Sequence, residues 1–158
     1  CTAFIYESIK DVEKATHAYN QSVKYARKFT RHPDFTQSLA GLARMSLAAG
    51  DLPRAEEYTA AILEFMKEKL KGISSWVDDD LGAATPFDGT LEPFLIYLTC
   101  FRVLVSLQDP TADEILDTAY CLLQARASKI KDNQLRNSYL ETVPHHKEIV
   151  NLWTARKD

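Results

Sequence analysis

The chain has 158 residues, 46% hydrophobic and 26% charged, with 19 basic against 22 acidic side chains and a formal net charge of −3. That length suffices for one domain burying roughly 70% of the surface its unfolded form exposes, and interspersed charges leave no continuous basic face for nucleic acid or anionic lipid. No apolar run reaches the length of a membrane span and no secretory signal pattern stands at residue 1, while three sparse cysteines (Cys1, Cys100 and Cys121) read as free thiols in a reducing cytoplasm.

Apolar residues at helical spacing predict a helix fragment at 2–9, then helices near 11–31, 33–49, 52–71, 91–107, 110–131, 133–142 and 144–155, with no competing strand pattern. Pro33, Pro110 and Pro144 mark helix starts, where a missing amide proton costs nothing, and Asp51, Asp109 and Asp132 complement the positive N-terminal end. Breaks are expected at Gly50, at Gly72 and through Gly82 to Gly89.

These helices repeat. Leu39, Leu42, Ala43, Gly50, Asp51, Ala55 and Ile62 give a large apolar residue, a small one, a turn glycine and a second small one, the pattern of a tetratricopeptide hairpin. Two helices that cross so closely leave no room beyond a methyl group at Ala43 and Ala55, and Gly50 suits the left-handed residue that ends the first helix. Sliding the template back aligns Ala3, Tyr6, Asp11, Ala15 and Tyr19; sliding it forward aligns Cys100, Asp109-Pro110, Ala112, Leu116 and Ala119. The second small residue therefore recurs at Ala15, Ala55 and Ala112, offsets of 40 and 57 residues against the usual 34 or so. A long second helix (Val12, Ala15, Tyr19, Val23, Ala26, Phe29) accounts for the first offset and an insertion at 72–90 for the second. The units are 1–31, 33–71 and 91–131, followed by a C-terminal cap at 132–155. Because the first unit begins in mid-repeat, the expectation is that Cys1 is a cut through a longer protein.

In the insertion, Trp76, Val77, Leu81 and Phe87 are too apolar for a solvated loop. Either Ser74 or Ser75 caps a short helix that folds back on the hairpins, or Trp76 and Phe87 face a partner. Asp78, Asp79 and Asp80 diverge on a helix and lack the spacing and glycine of a calcium loop, so no metal is expected there. In the cap, Leu135, Tyr139 and Val143, then Ile149, Leu152 and Trp153, form two short amphipathic helices that close the last hairpin. Trp153 is expected against Leu140 or Leu123, or else at a dimer contact.

From Asp88-Gly89-Thr90-Leu91-Glu92-Pro93 through Tyr97-Leu98-Thr99-Cys100-Phe101-Arg102-Val103-Leu104 and Gln108-Asp109-Pro110 to Arg136-Asn137-Ser138-Tyr139-Leu140-Glu141-Thr142-Val143-Pro144-His145-His146, the chain resembles one known ending. It is similar to the C-terminal tetratricopeptide region of large bacterial signal-transduction ATPases, transcriptional regulators and adenylate cyclases, with Tyr139 and Thr142 in place of that group's usual Phe and Asn. The resemblance implies a cytoplasmic sensor or scaffold segment that contacts a protein or peptide, or its own ATPase domain upstream. The phosphate-binding loop of such an ATPase is absent from this chain.

No catalytic constellation emerges, and neither cofactor nor metal is expected. His145 and His146 diverge by about 100° on a helix and do not chelate one ion; His17 and His32 have no nucleophile beside them. If the first helix of each hairpin lines a concave groove, its candidates are Gln37, Ala40, Arg44 and Leu47, then Phe94, Tyr97, Phe101 and Leu104. The aromatic set has the spacing of a core stripe as well. Arg44 reads as an exposed guanidinium suited to a carboxylate or peptide end, or as the partner of a residue such as Glu57. The sequence reading is thus an all-α, tetratricopeptide-like right-handed superhelix of hairpins acting by protein contact, with small-molecule sensing and homo-oligomerisation as the alternatives.

Overall fold

The computed structural model describes residues 2–26, 33–71 and 85–157, and among these every regular element is a helix: α1 (Thr2–Ser8), α2 (Val12–Ala26), α3 (Pro33–Ala48), α4 (Leu52–Lys71), α5 (Pro93–Ser106), α6 (Thr111–Ser128), α7 (Asn133–Glu141) and α8 (Pro144–Lys157). The all-α expectation holds, and the helix boundaries lie close to those read from the sequence. Phe29, His32 and residues 72–84, with Ser74, Ser75, Trp76, Asp78–Asp80 and Leu81, lie outside the described residues.

The first three hairpins close with one and the same turn. Lys10, Gly50 and Gln108 each adopt positive φ, at 59°, 75° and 57°, and each donates its amide to the carbonyl three residues back (Glu7, Leu47 and Val105). The following aspartates, Asp11, Asp51 and Asp109, donate to Tyr6, Ser46 and Leu104, all at 2.9 Å. This paired arrangement satisfies two orphan carbonyls at the helix end. The aspartate carboxylates then serve the next helix: Asp11 accepts from Lys14 N, Asp51 from Arg54 N and Asp109 from Thr111 N. Asp132 caps α7 in the same manner through Leu135 N. At α6 the start shifts by one, since Pro110 occupies the N-cap and not the first helical position.

Close packing follows from the small residues. Ala15, Ala43 and Ala55 are wholly buried, and Ala43 and Ala55 share one cluster with Val103 of α5, flanked by Leu47, Tyr58 and Leu107. Helix α3 packs against α2, α4 and α5, and α5 packs against α3, α4, α6 and α8. Both are therefore covered from several sides: Thr36 to Ala43 and Ile96 to Phe101 are buried without interruption. Helix α5 is apolar around most of its circumference, as a central helix must be, with Arg102 its one charged side chain. The cap departs from simple stacking. Just as α5 touches both helices of the hairpin before it, α8 touches both α5 and α6, and α7, which has no buried residue, lies outside.

The segment 85–90 is anchored to the core through Thr85 and Phe87. Phe87 is buried and meets the Tyr97 ring edge-on at 4.9 Å, and Thr85 N and Oγ1 both donate to the Asp88 carboxylate. Trp153 packs against the core cluster that contains Leu123, stacks flat on Tyr120 at 3.9 Å and donates Nε1–H to Asp117 Oδ1 at 2.7 Å.

Gly41 marks the tightest approach, because a Cβ there would fall inside the ring of Tyr19. That ring is buried and its hydroxyl is bonded to Glu7, so it does not swing aside. Gly41→Ala should therefore destabilise by about 1–3 kcal/mol, the usual cost of overpacking, although helix propensity alone favours alanine by about 1 kcal/mol. Urea unfolding of the two chains gives the sign directly.

Candidate interaction site

Arg44, the predicted exposed cation, is enclosed, its side chain keeping 10% of its free exposure. Its Nε and Nη2 donate to the two carboxylate oxygens of Glu7 at 2.6 and 2.8 Å, and Nη1 donates to Thr99 Oγ1 at 3.2 Å. The Tyr19 hydroxyl donates to Glu7 and lies 3.4 Å from Nη2, and the Phe4 ring covers the guanidinium. One side chain of α3 thus ties α1, α2 and α5 together. Its carboxylate partner is Glu7, 37 residues back, and not Glu57; no local spacing signals that pair.

The charges are mutually sustained. Burial is the largest influence on Glu7 and pushes its carboxyl upward, but hydrogen bonds from Arg44 and Tyr19 and the Arg44 charge hold it below the usual carboxylate range. Burial likewise works most strongly against the Arg44 charge, and Glu7 outweighs it. The Tyr19 phenol is raised by burial first and by its bond to Glu7 second.

The remaining groove candidates are also covered. Gln37 is buried, and its Oε1 accepts from Glu92 N at 3.3 Å. Leu47 is half-buried at the Ala43–Ala55 crossing. Phe101 is buried beneath α8, with the Arg156 guanidinium 4.8 Å from its ring centre, and Phe94, two turns earlier, meets the His146 ring edge-on. Tyr97 is buried at the foot of a cleft between α4 and α6. The expected groove is therefore filled over Arg44, Phe94 and Phe101. Its α5 side is filled by α8 and its α3 side by the Glu7–Arg44 pair. Sequence periodicity put these aromatics on one stripe but carried no information about what lies over it.

Helix α8 packs Ile149, Val150, Leu152 and Trp153 on the core and adds polar contacts around them. Arg102 grips the Glu148 carboxylate with Nε and Nη2, Arg156 pairs with Asp113, and Ile149 is its one fully buried aliphatic side chain. His145 Nε2 lies 3.1 Å from Glu92 Oε2, within charge-pairing reach but outside hydrogen-bond geometry. His146 Nδ1 is 2.8 Å from Tyr139 O; since a carbonyl only accepts, Nδ1 carries the proton. Burial depresses both histidines, and the charge of Arg44 adds to this at His145.

Among the described residues the exposed large hydrophobic side chains are Ile5, Ile9, Val12, Tyr25, Leu91, Val105 and Leu135. Ile5, Ile9 and Val12 are 61%, 64% and 48% exposed, the first two one helical turn apart on α1 and its extension, the third at the start of α2. Among the described residues no three His, Cys, Asp or Glu side chains converge to hold a metal ion, and no helix is long and apolar enough to cross a membrane. Compared with protein-family models, with curated proteins and with solved structures, the chain gives no match.

Two outcomes test this geometry. Glu7→Leu strands a buried guanidinium and should cost about 2–4 kcal/mol, somewhat less than a fully buried pair because Glu7 keeps some solvent contact; adding Arg44→Met should recover at least half of the loss in chemical denaturation. For the histidines, the folded values lie below the unfolded one of about 6.5, so their neutral forms contribute fully above it and stability falls as pH drops through 6.5 toward the folded values. The Tm should be lower at pH 5.5 than at 7.5, with a shallower dependence in His146→Phe.

Proposed function

We propose that this chain is a tetratricopeptide-like, cytoplasmic interaction module of a bacterial signalling or transcriptional regulator, acting by protein–protein or interdomain contact. The observation that carries the reading is the apolar surface of Ile5, Ile9 and Val12 on the first hairpin. A helical repeat buries its faces by stacking, and a hairpin that shows aliphatic side chains to solvent calls for another helix upon it. The recurring turn at Lys10, Gly50 and Gln108 and the alanine contacts support the hairpin repeat. The likeness of the last 70 or so residues to bacterial regulator tails supports the setting, in which the partner is a protein or peptide such as an ATPase domain of the same chain.

The locus differs from the one the sequence suggested. Arg44 serves the interior, so recognition rests on α1 and the start of α2 and is apolar. Each aliphatic side chain fully covered by a partner contributes about 1.5–3 kcal/mol.

A photo-reactive phenylalanine analogue at position 9, in cells expressing the natural protein, should give a discrete protein adduct, while the same group at exposed Asn151 on α8 should not. Ile5→Glu should abolish the adduct while changing unfolding free energy by no more than about 0.5 kcal/mol, as expected of an exposed site. Adducts of equal yield from both positions, or from neither, sink the proposal; an adduct with a second copy of the chain replaces it by homo-oligomerisation.

A further inference from the structure

Helix α8 docks through few buried side chains. His146 and Ile149 are its buried residues among those described, and the ion pairs Arg102–Glu148 and Arg156–Asp113 beside them are partly exposed and contribute little each. Helix α7, which joins α8 to α6, buries nothing. An element held in this way opens at a lower free energy than the whole fold.

The first turn of α8 puts two imidazoles into the contact. The His146 ring meets Phe94 of α5 edge-on at 5.1 Å and lies 4.5 Å from the Tyr139 ring of α7, and its Nδ1–H serves Tyr139 O at 2.8 Å. The His145 ring is 4.6 Å away, its Nε2 buried with no hydrogen-bond partner. The nearest carboxylate oxygen, Glu92 Oε2 at 3.1 Å, is off the hydrogen-bond direction and on a side chain partly in solvent. A protonated imidazole is a donor at both nitrogens, so acid adds to this contact a buried N–H that nothing accepts, beside a second ring of the same charge.

The charges that face the pair oppose it as well. Arg126 of α6 lies over the same Phe94 ring at 5.2 Å and acts against a charge on His146, and Arg44 of α3 acts against one on His145. Glu92 and Glu148 work the other way, but Glu148 is already gripped by Arg102. The Tyr139 phenol, bonded to Arg126, stays neutral. Burial is the largest influence on both imidazoles, and the balance favours their neutral forms.

We propose that α7 and α8 form an acid-released cap: protonation of His145 and His146 lets the two helices leave α5 and α6 and bares Phe94 and Phe101. Undocked, both rings return to water and to an ordinary value of about 6.5. The neutral, docked form is therefore favoured above 6.5, and at pH 5.5 linkage raises the opening constant by up to about tenfold per histidine. The cap shares no residue with the Ile5–Ile9 surface, so this proposal stands without the protein-contact reading.

Amide exchange of the full chain, read by mass spectrometry and corrected for the intrinsic rate at each pH, tests it. At pH 5.5 the α8 peptides should exchange at least about tenfold faster than those of α3, through an opening that leaves α3 folded. Their opening constant should rise about three- to a hundredfold between pH 7.5 and 5.5. His145→Gln/His146→Phe keeps a ring against Phe94, and His145→Gln/His146→Asn keeps a donor for Tyr139 O; in whichever folds, the rise should be absent. Glu92→Gln removes a carboxylate that favours the charged rings and should leave the rise intact or enlarge it. In the unaltered chain, two of the four histidines should titrate below about 6.5 by NMR. The proposal fails if α8 and α3 exchange alike at pH 5.5 or the rise is missing. It fails equally if the rise survives in a double variant, if Glu92→Gln abolishes it, or if fewer than two histidines titrate below that value.

Discussion

The buried guanidinium of Arg44 sets the arrangement of the first three hairpins. A cation this enclosed is tolerated only when its donors are engaged, and they are engaged by one residue from each of three other helices or by their shared carboxylate: Glu7 on α1, Tyr19 on α2 and Thr99 on α5. Helix α1 depends on this most, since Ala3 is its one buried residue among those described. With so little apolar area to hold it, its docking rests on Glu7. Where Glu7 points inward, Ile5 and Ile9 point outward, so the same interaction that closes the interior fixes which apolar side chains remain at the surface.

Closure has a second source in α8. A hairpin repeat that stacks regularly leaves the first helices lining a concavity, and a ligand groove is the usual consequence. Here α8 lies on α5 and α6, covering Phe94 and Phe101 with the His146 ring and the Arg156 guanidinium. The contact is aromatic and ionic more than aliphatic. Exposed ion pairs such as Arg102–Glu148 contribute little each, so the stacking of Trp153 on Tyr120 and the burial of Ile149 and His146 carry most of the docking.

The sequence disclosed what is local and hid what is distant. Gly50 was legible as a left-handed helix end because glycine alone is cheap there; its counterparts Lys10 and Gln108 adopt the same conformation without the residue that advertises it. The alanine pair at 43 and 55 was legible because size at a helix crossing is a property of the residue itself. The aspartate caps followed from residue type and position. The partner of Arg44, by contrast, sits 37 residues away on a helix whose docking depends on the pair, and no period in the chain encodes it. Phe94, Tyr97 and Phe101 were legible as a stripe; whether a stripe is core or groove is decided by the helix that covers it, and two residues of α8, His146 and Arg156, settle that for Phe94 and Phe101.

The distribution of satisfied and spare polar groups then separates structure from function. Of the polar groups of the expected groove, Arg44 and Gln37 Oε1 are consumed by bonds within the fold, whereas Gln37 Nε2 and the Tyr97 hydroxyl are buried without a partner. A group so consumed is unavailable to a ligand unless the ligand first breaks that bond, which for a buried ion pair costs several kcal/mol. Tyr97 is also enclosed: its ring is packed edge-on against Phe87 and its hydroxyl is buried. The polar groups around Arg44 therefore hold the helices together, and the proposed recognition rests on the aliphatic side chains that the first hairpin leaves at the surface.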